Sequence, residues 1–120
     1  MKKEISVRAL LFFVLLVIAN CGKEDDPVKK ELNPPSSLSA IAFSATQINL
    51  VWIDQSTGET GFKIERAPGG TNTFAEVGTV GSGLVNFQNT GLEPNTLYVY
   101  RVKAFNASSN STYSNSVSVS

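Results

Sequence analysis

One unbroken apolar run stands near the start of this chain, and almost everything after it alternates. Residues 9–19 (ALLFFVLLVIA) carry no polar side chain. As a helix such a run rises only ~16 Å, about half of a bilayer core. Met1-Lys2-Lys3 and Arg8 place positive charge at its front, and Asn20-Cys21-Gly22 closes it before the charged run Lys23-Glu24-Asp25-Asp26. A basic start and a short apolar run read as a signal peptide rather than a membrane span. The next stretch, 22–36, is polar, charged and broken by Pro27, Pro34 and Pro35. That composition cannot bury enough apolar surface to order itself and reads as a flexible tether. The expected organisation is a signal segment over 1–20, a tether over 21–35 and one folded domain over 36–120.

Within the domain, seven short runs are set off by turn residues: 38–42, 48–53, 62–66, 74–80, 85–88, 96–106 and 114–120. Gly58 and Gly61, the Pro68-Gly69-Gly70 turn, and Gly81 with Gly83 punctuate them. No helical periodicity follows residue 20, so the spacing predicts an all-β sandwich of seven strands in two sheets. Period-two alternation then assigns the faces. Ile48, Leu50 and Trp52 point one way, as do Phe62 and Ile64, with Lys63 and Glu65 opposite. On the longest strand Tyr98, Tyr100, Val102 and Ala104 form the predicted core face. Leu97, Val99, Arg101, Lys103 and Phe105 form the other.

About a hundred residues follow the signal segment, enough for one domain. The whole chain has ten Lys and Arg against ten Asp and Glu. From Cys21 onward the balance is seven against nine, a formal charge of −2. No basic face able to neutralise several phosphates is expected, which argues against a nucleic-acid partner. Cys21 is the only cysteine, so no disulfide within the chain can staple this domain.

Val17-Ile18-Ala19-Asn20-Cys21 resembles the lipobox of bacterial lipoproteins, although Asn20 stands where glycine, alanine or serine is usual. The resemblance implies that the Cys21 thiol receives a diacylglycerol, that the chain is cut just before it, and that the new amine is acylated. Several acyl chains, at ~0.8 kcal/mol per buried CH₂, anchor a protein where one does not. The alternative is a secreted protein cut after Ala19 with one free thiol, an awkward group in an oxidising compartment. Lys23-Glu24-Asp25-Asp26 resembles the export tag of surface lipoproteins in some Gram-negative bacteria, which implies display on the outer face of the outer membrane. Its plainer reading is a solvated tether.

The domain resembles a fibronectin type III domain from about Pro35 onward. The residues that carry the likeness are Pro35 with Leu38, then Ile48-x-Leu50-x-Trp52-x-Asp54 and Glu59-x-Gly61-Phe62-x-Ile64-Glu65-Arg66. Further on come Phe87, Gly91-Leu92-x-Pro94-x-Thr96-x-Tyr98 and Tyr100-Arg101-Val102-x-Ala104-x-Asn106. The resemblance implies that Trp52 fills the space between the sheets and that Leu92 plugs one end of the core. It also implies that the Tyr98 hydroxyl bonds nearby backbone as a tyrosine corner. The loop 107–111 (ASSNS) lacks the glycine common after that Asn.

Candidate chemistry is sparse. The chain has no histidine, the commonest general base and zinc ligand. Of the domain carboxylates Asp54, Glu59, Glu65, Glu76 and Glu93, the first two share a loop. They could hold calcium or act as an acid/base pair, but such residues more often cap turns and pair with cations. The expectation is a protein without enzymatic activity, cofactor or metal. Sugar binding would need aromatic platforms, and Phe74, Phe105 and Tyr113 are scattered. No Arg-Gly-Asp triplet is present, and Asn106-Ala107-Ser108 and Asn110-Ser111-Thr112 match the glycosylation acceptor pattern. The candidate interaction face is therefore Leu97, Val99, Phe105 and Tyr113, an apolar row that can mark a contact surface. The expected function is a monomeric, lipid-anchored envelope protein displaying one domain for protein interaction or adhesion. The rivals are an accessory module of a polysaccharide-processing system and a shortened remnant of a larger surface lipoprotein.

Overall fold

A computed structural model describes residues 32–120, and Cys21 with the signal and tether segments lies outside them. The described residues form eight strands: β1 (Ser36–Ser44), β2 (Gln47–Ile53), β3 (Gly61–Pro68), β4 (Ala75–Gly81), β5 (Asn86–Asn89), β6 (Tyr98–Phe105), β7 (Asn110–Tyr113) and β8 (Val117–Val119). They make an all-β sandwich. One sheet has the order β1-β2-β5, and the other has β4-β3-β6 with β7 and β8 both paired to β6. All pairings are antiparallel.

Seven strands become eight because the last one starts early and breaks. The expected run 114–120 is preceded by β7, which pairs Lys103 with Tyr113 and Phe105 with Asn110. The ladder resumes at β8 with Tyr100 opposite Val117. Ser114 bridges the interruption: its N–H donates to the Val102 carbonyl at 2.7 Å, and its Oγ accepts from the Val102 N–H at 3.0 Å. A side chain here does the work of a backbone carbonyl, and no hydrophobic alternation announces that.

The predicted core faces meet between the sheets. Leu38, Ile48, Leu50 and Trp52 from the smaller sheet pack against Phe62, Ile64, Tyr98, Tyr100, Val102 and Ala104 from the larger. Each such side chain contributes about 1.5–3 kcal/mol on burial, and several of them are needed to hold a domain this small. Trp52 meets Phe62 edge-on, with ring centroids 5.6 Å apart and planes at 63°. The Trp52 indole N–H is buried with no hydrogen-bond partner among the described residues. Trp52 is thus held by packing and not by polar contact.

Two local devices close the ends. The Glu93 N–H donates to the Tyr98 hydroxyl at 3.0 Å, the tyrosine corner that the family resemblance implies. Leu92, buried in the core cluster, donates its N–H to the Thr46 carbonyl at 3.0 Å. At Gly78 a Cβ would come within 2.5 Å of the Phe87 ring, so only glycine lets β5 approach β4 this closely. Packing also reaches ahead of the expected boundary at Ser36: Leu32 is buried in the core, and Asn33 bonds the Gln55 carbonyl at 3.0 Å.

Trp52→Ala should cost about 3–5 kcal/mol, the range for deleting a large buried aromatic. Urea unfolding of the two proteins measures it; a loss below about 1 kcal/mol would remove Trp52 from the centre of the core.

Candidate functional site

The four residues of the candidate face all lie at the outer side of the larger sheet, but Phe105 and Tyr113 are covered by cations. Lys63 Nζ sits 4.9 Å from the centre of the Phe105 ring. The Arg101 guanidinium stacks between Tyr113, at 3.6 Å, and Phe74, at 3.9 Å. Arg101 also forms an ion pair with Glu65 at 2.8 Å, while the Tyr113 hydroxyl donates to the other Glu65 oxygen at 3.0 Å. Lys103 Nζ donates to the Tyr113 hydroxyl at 3.3 Å and lies 3.7 Å from Glu65. Val99, Phe105 and Tyr113 are half-buried, and Leu97 remains exposed, leaning on Gly69. Cation stems and rings thus form a closed ladder across this face, each contact worth about 0.5–2 kcal/mol.

Glu65 is the hub of that ladder. Its partial burial alone would raise its pKa, but hydrogen bonds from Arg101 and Tyr113, with the positive charges of Arg101 and Lys103, outweigh this and hold it below the usual glutamate value.

Asp54 and Glu59, the candidate metal or acid/base pair, do come together. Burial, and then the hydrogen bond to Glu59, push the Asp54 carboxyl up, against the lowering effect of the Ser56 N–H, which donates to it at 2.9 Å. Glu59 is itself buried, which opposes its charge. It is nevertheless held below its ordinary value by bonds from its own amide, Asp54, Gly83 N–H at 3.3 Å and Ser82 Oγ at 3.2 Å. The two carboxyls therefore shift in opposite directions, Asp54 up and Glu59 down. The pair ties the loop after β2 to the turn after β4. Among the described residues no group of three or more acidic, Cys or His side chains is placed to hold a metal ion.

A third polar cluster joins the two sheets. Asn89 Oδ1 on β5 accepts from the Tyr100 hydroxyl on β6 at 2.6 Å and from Arg66 Nη1 on β3 at 2.9 Å. Burial pushes the Tyr100 hydroxyl up to about 12.

The order of strands in the two sheets, the tyrosine corner and the central tryptophan decide the family, and a family model for the fibronectin type III domain matches residues 33–120. The chain belongs to the fibronectin type III family. Solved members share the fold at low identity. Titin kinase with its flanking domains is 22% identical with a TM-score of 0.67, over 77% of this chain and 17% of that one. The FN1–FN3 domains of chicken CNTN1 are 20% identical with a TM-score of 0.66, over 75% and 32%. An Fn3-like protein from Clostridium thermocellum is 23% identical with a TM-score of 0.61, over 72% and 88%. The chain spans a third or less of the titin and CNTN1 fragments. At these identities the likeness shows the fold alone. No curated protein matches the sequence. Fibronectin type III domains are typically non-catalytic modules of protein interaction and adhesion.

Four exposed apolar side chains outside the candidate face lie on the opposite sheet. Ile41, Phe43, Val51 and Ile53 are all about half exposed or more. The signal was present, since alternation that buries Leu38, Ile48, Leu50 and Trp52 must turn Ile41, Val51 and Ile53 outward.

Two pH limbs follow. Glu65 has a depressed folded pKa, so its contribution is present above about 4.5 and is lost as pH falls through the folded value. Tyr100 is raised, so its contribution is intact below about 10 and is lost as pH climbs towards about 12. In urea unfolding across pH, Glu65→Gln should flatten the acid limb and Tyr100→Phe the alkaline one. An unchanged slope in either variant would sever that residue from its limb.

Proposed function

We propose that this chain is a lipid-anchored display module of the bacterial cell envelope, held through Cys21 and presenting one fibronectin type III domain for binding rather than catalysis. One observation carries the reading. The two acidic clusters of the domain, Asp54 with Glu59 and Glu65 with Arg101 and Lys103, are each satisfied by their own neighbours. Four of the six exposed large hydrophobic side chains among the described residues, Ile41, Phe43, Val51 and Ile53, lie instead on the smaller sheet. Groups whose hydrogen bonds are met within a fold hold structure, whereas contiguous exposed apolar groups can mark a contact surface. The sequence before the domain supports the anchor: a basic start, a short apolar run and a cysteine directly behind it. The acidic run after Cys21 favours the outer face of the outer membrane, with the domain projecting as a monomer on its tether.

Fractionation tests this. Cys21→Ser should move the protein from the membrane to the soluble fraction, and protease added to intact cells should digest the native form. A membrane fraction unchanged by Cys21→Ser would remove the lipid anchor, and full protection from protease would place the domain on the periplasmic side.

A further inference from the structure

The outer side of the β1-β2-β5 sheet is uncharged. From Ser36 to Ile53, and again from Asn86 to Asn89, the chain has no Asp, Glu, Lys or Arg. The ionic side chains of the described residues sit on β3, β4, β6 and two loops. Cross-strand register lays two rows over the neutral sheet. Ile41, Asn49 and Gln88 are successive partners in one, and Ser39, Val51 and Asn86 in the other. With strands ~4.8 Å apart, each row is about 10 Å wide.

The rows frame a cleft of about 270 Å³ lined by Ile41, Val51 and the amides of Asn49, Asn86 and Gln88. Gln47 Nε2 donates to Asn49 Oδ1 at 2.8 Å, which engages the Asn49 carbonyl oxygen and leaves its NH₂ group as a donor. The side chains of Asn86 and Gln88 make no hydrogen bond among the described residues. Phe43, two residues along from Ile41 at a bulge in β1, is 68% exposed. No cation lies over its ring among the described residues, unlike Phe74, Phe105 and Tyr113.

We propose that this cleft binds a neutral oligosaccharide, with Asn49, Asn86 and Gln88 bonding its hydroxyls and Ile41, Val51 and Phe43 covering its C–H faces. This rests on the reading of the domain as a binding module and names its ligand class. The chemistry runs in one direction. A charged ligand would be desolvated against a surface with no counter-ion, which is costly. Amides both donate and accept, which suits neighbouring hydroxyls that do the same. A flat apolar partner would bury those amides unpaired, again at a cost. A second copy stacked through this face would bring amides of its own, and the test separates that outcome.

The test uses the chain from residue 21 carrying Cys21→Ser, run on native gels containing soluble starch, β-glucan, xylan or galactomannan, with polygalacturonate as the charged control. At least one neutral polysaccharide should retard it and polygalacturonate should not. Asn49→Ala with Gln88→Ala should weaken binding by about tenfold or more, as two lost hydrogen bonds predict, with the urea midpoint preserved. Lys63→Ala, on the opposite sheet, should leave binding unchanged. The inference is overturned by no retardation on any neutral polysaccharide, or by binding that survives the double substitution. It is also overturned by a dimer in sedimentation that Val51→Lys dissolves, which would seat a second copy in the cleft. Anchoring is read separately by the Cys21→Ser fractionation, so a negative glycan result overturns the ligand class without touching the display reading.

Discussion

Closure of the two sheets over Trp52 is the constraint from which the rest of this domain follows. No disulfide within the chain can hold the sheets together, because the chain has one cysteine. Packing must therefore do it: Trp52 against Phe62 at the centre, with Leu50, Ile64 and Tyr100 fully enclosed around them. Packing alone sets no lateral registration between sheets. Asn89 supplies it by accepting from Tyr100 and Arg66 of the other sheet, a buried polar link that a slipped arrangement would leave unpaired.

That closure also divides the surface. Every strand turns one face inward, so the outward residues of each sheet are set by the same alternation that builds the core. On the larger sheet those residues are Lys63, Glu65, Arg101 and Lys103 with Phe105 and Tyr113, and they satisfy one another. On the smaller sheet they are Ile41, Asn49, Val51, Ile53, Asn86 and Gln88, and no charge is among them. One face is satisfied by its own neighbours, and the other leaves uncharged apolar and amide side chains exposed.

How much of this could be read from the sequence depends on what each feature rests on. The core rests on alternation, and the predicted faces of β2, β3 and β6 are the buried ones. The tyrosine corner is legible through the family resemblance, with Tyr98 a few residues after Leu92 and Pro94, and Glu93 supplies the N–H it binds. The split of the last strand rests on Ser114 replacing a ladder partner, and serine-rich sequence carries no pattern that marks it. The cover over Phe105 and Tyr113 in the candidate face depends on cations arriving from neighbouring strands. Lys63 and Phe74 are distant in sequence from the groups they stack with, so their cover exists only once the sheet is assembled.

A neutral, partly apolar face bounded by two edge strands ordinarily invites edge-to-edge aggregation. Here the geometry of the edges works against it. β1 carries register shifts at both ends, between Ser36 and Ser39 and between Ala42 and Ser44, which break the regular row of free backbone groups. β5 has only four residues, too short to template a long partner strand. The amides on and beside β5 add a further condition, because any sheet laid over them must offer each one a hydrogen bond. The edges of the sheet are therefore poor templates for pairing, although the face between them is neutral and partly apolar.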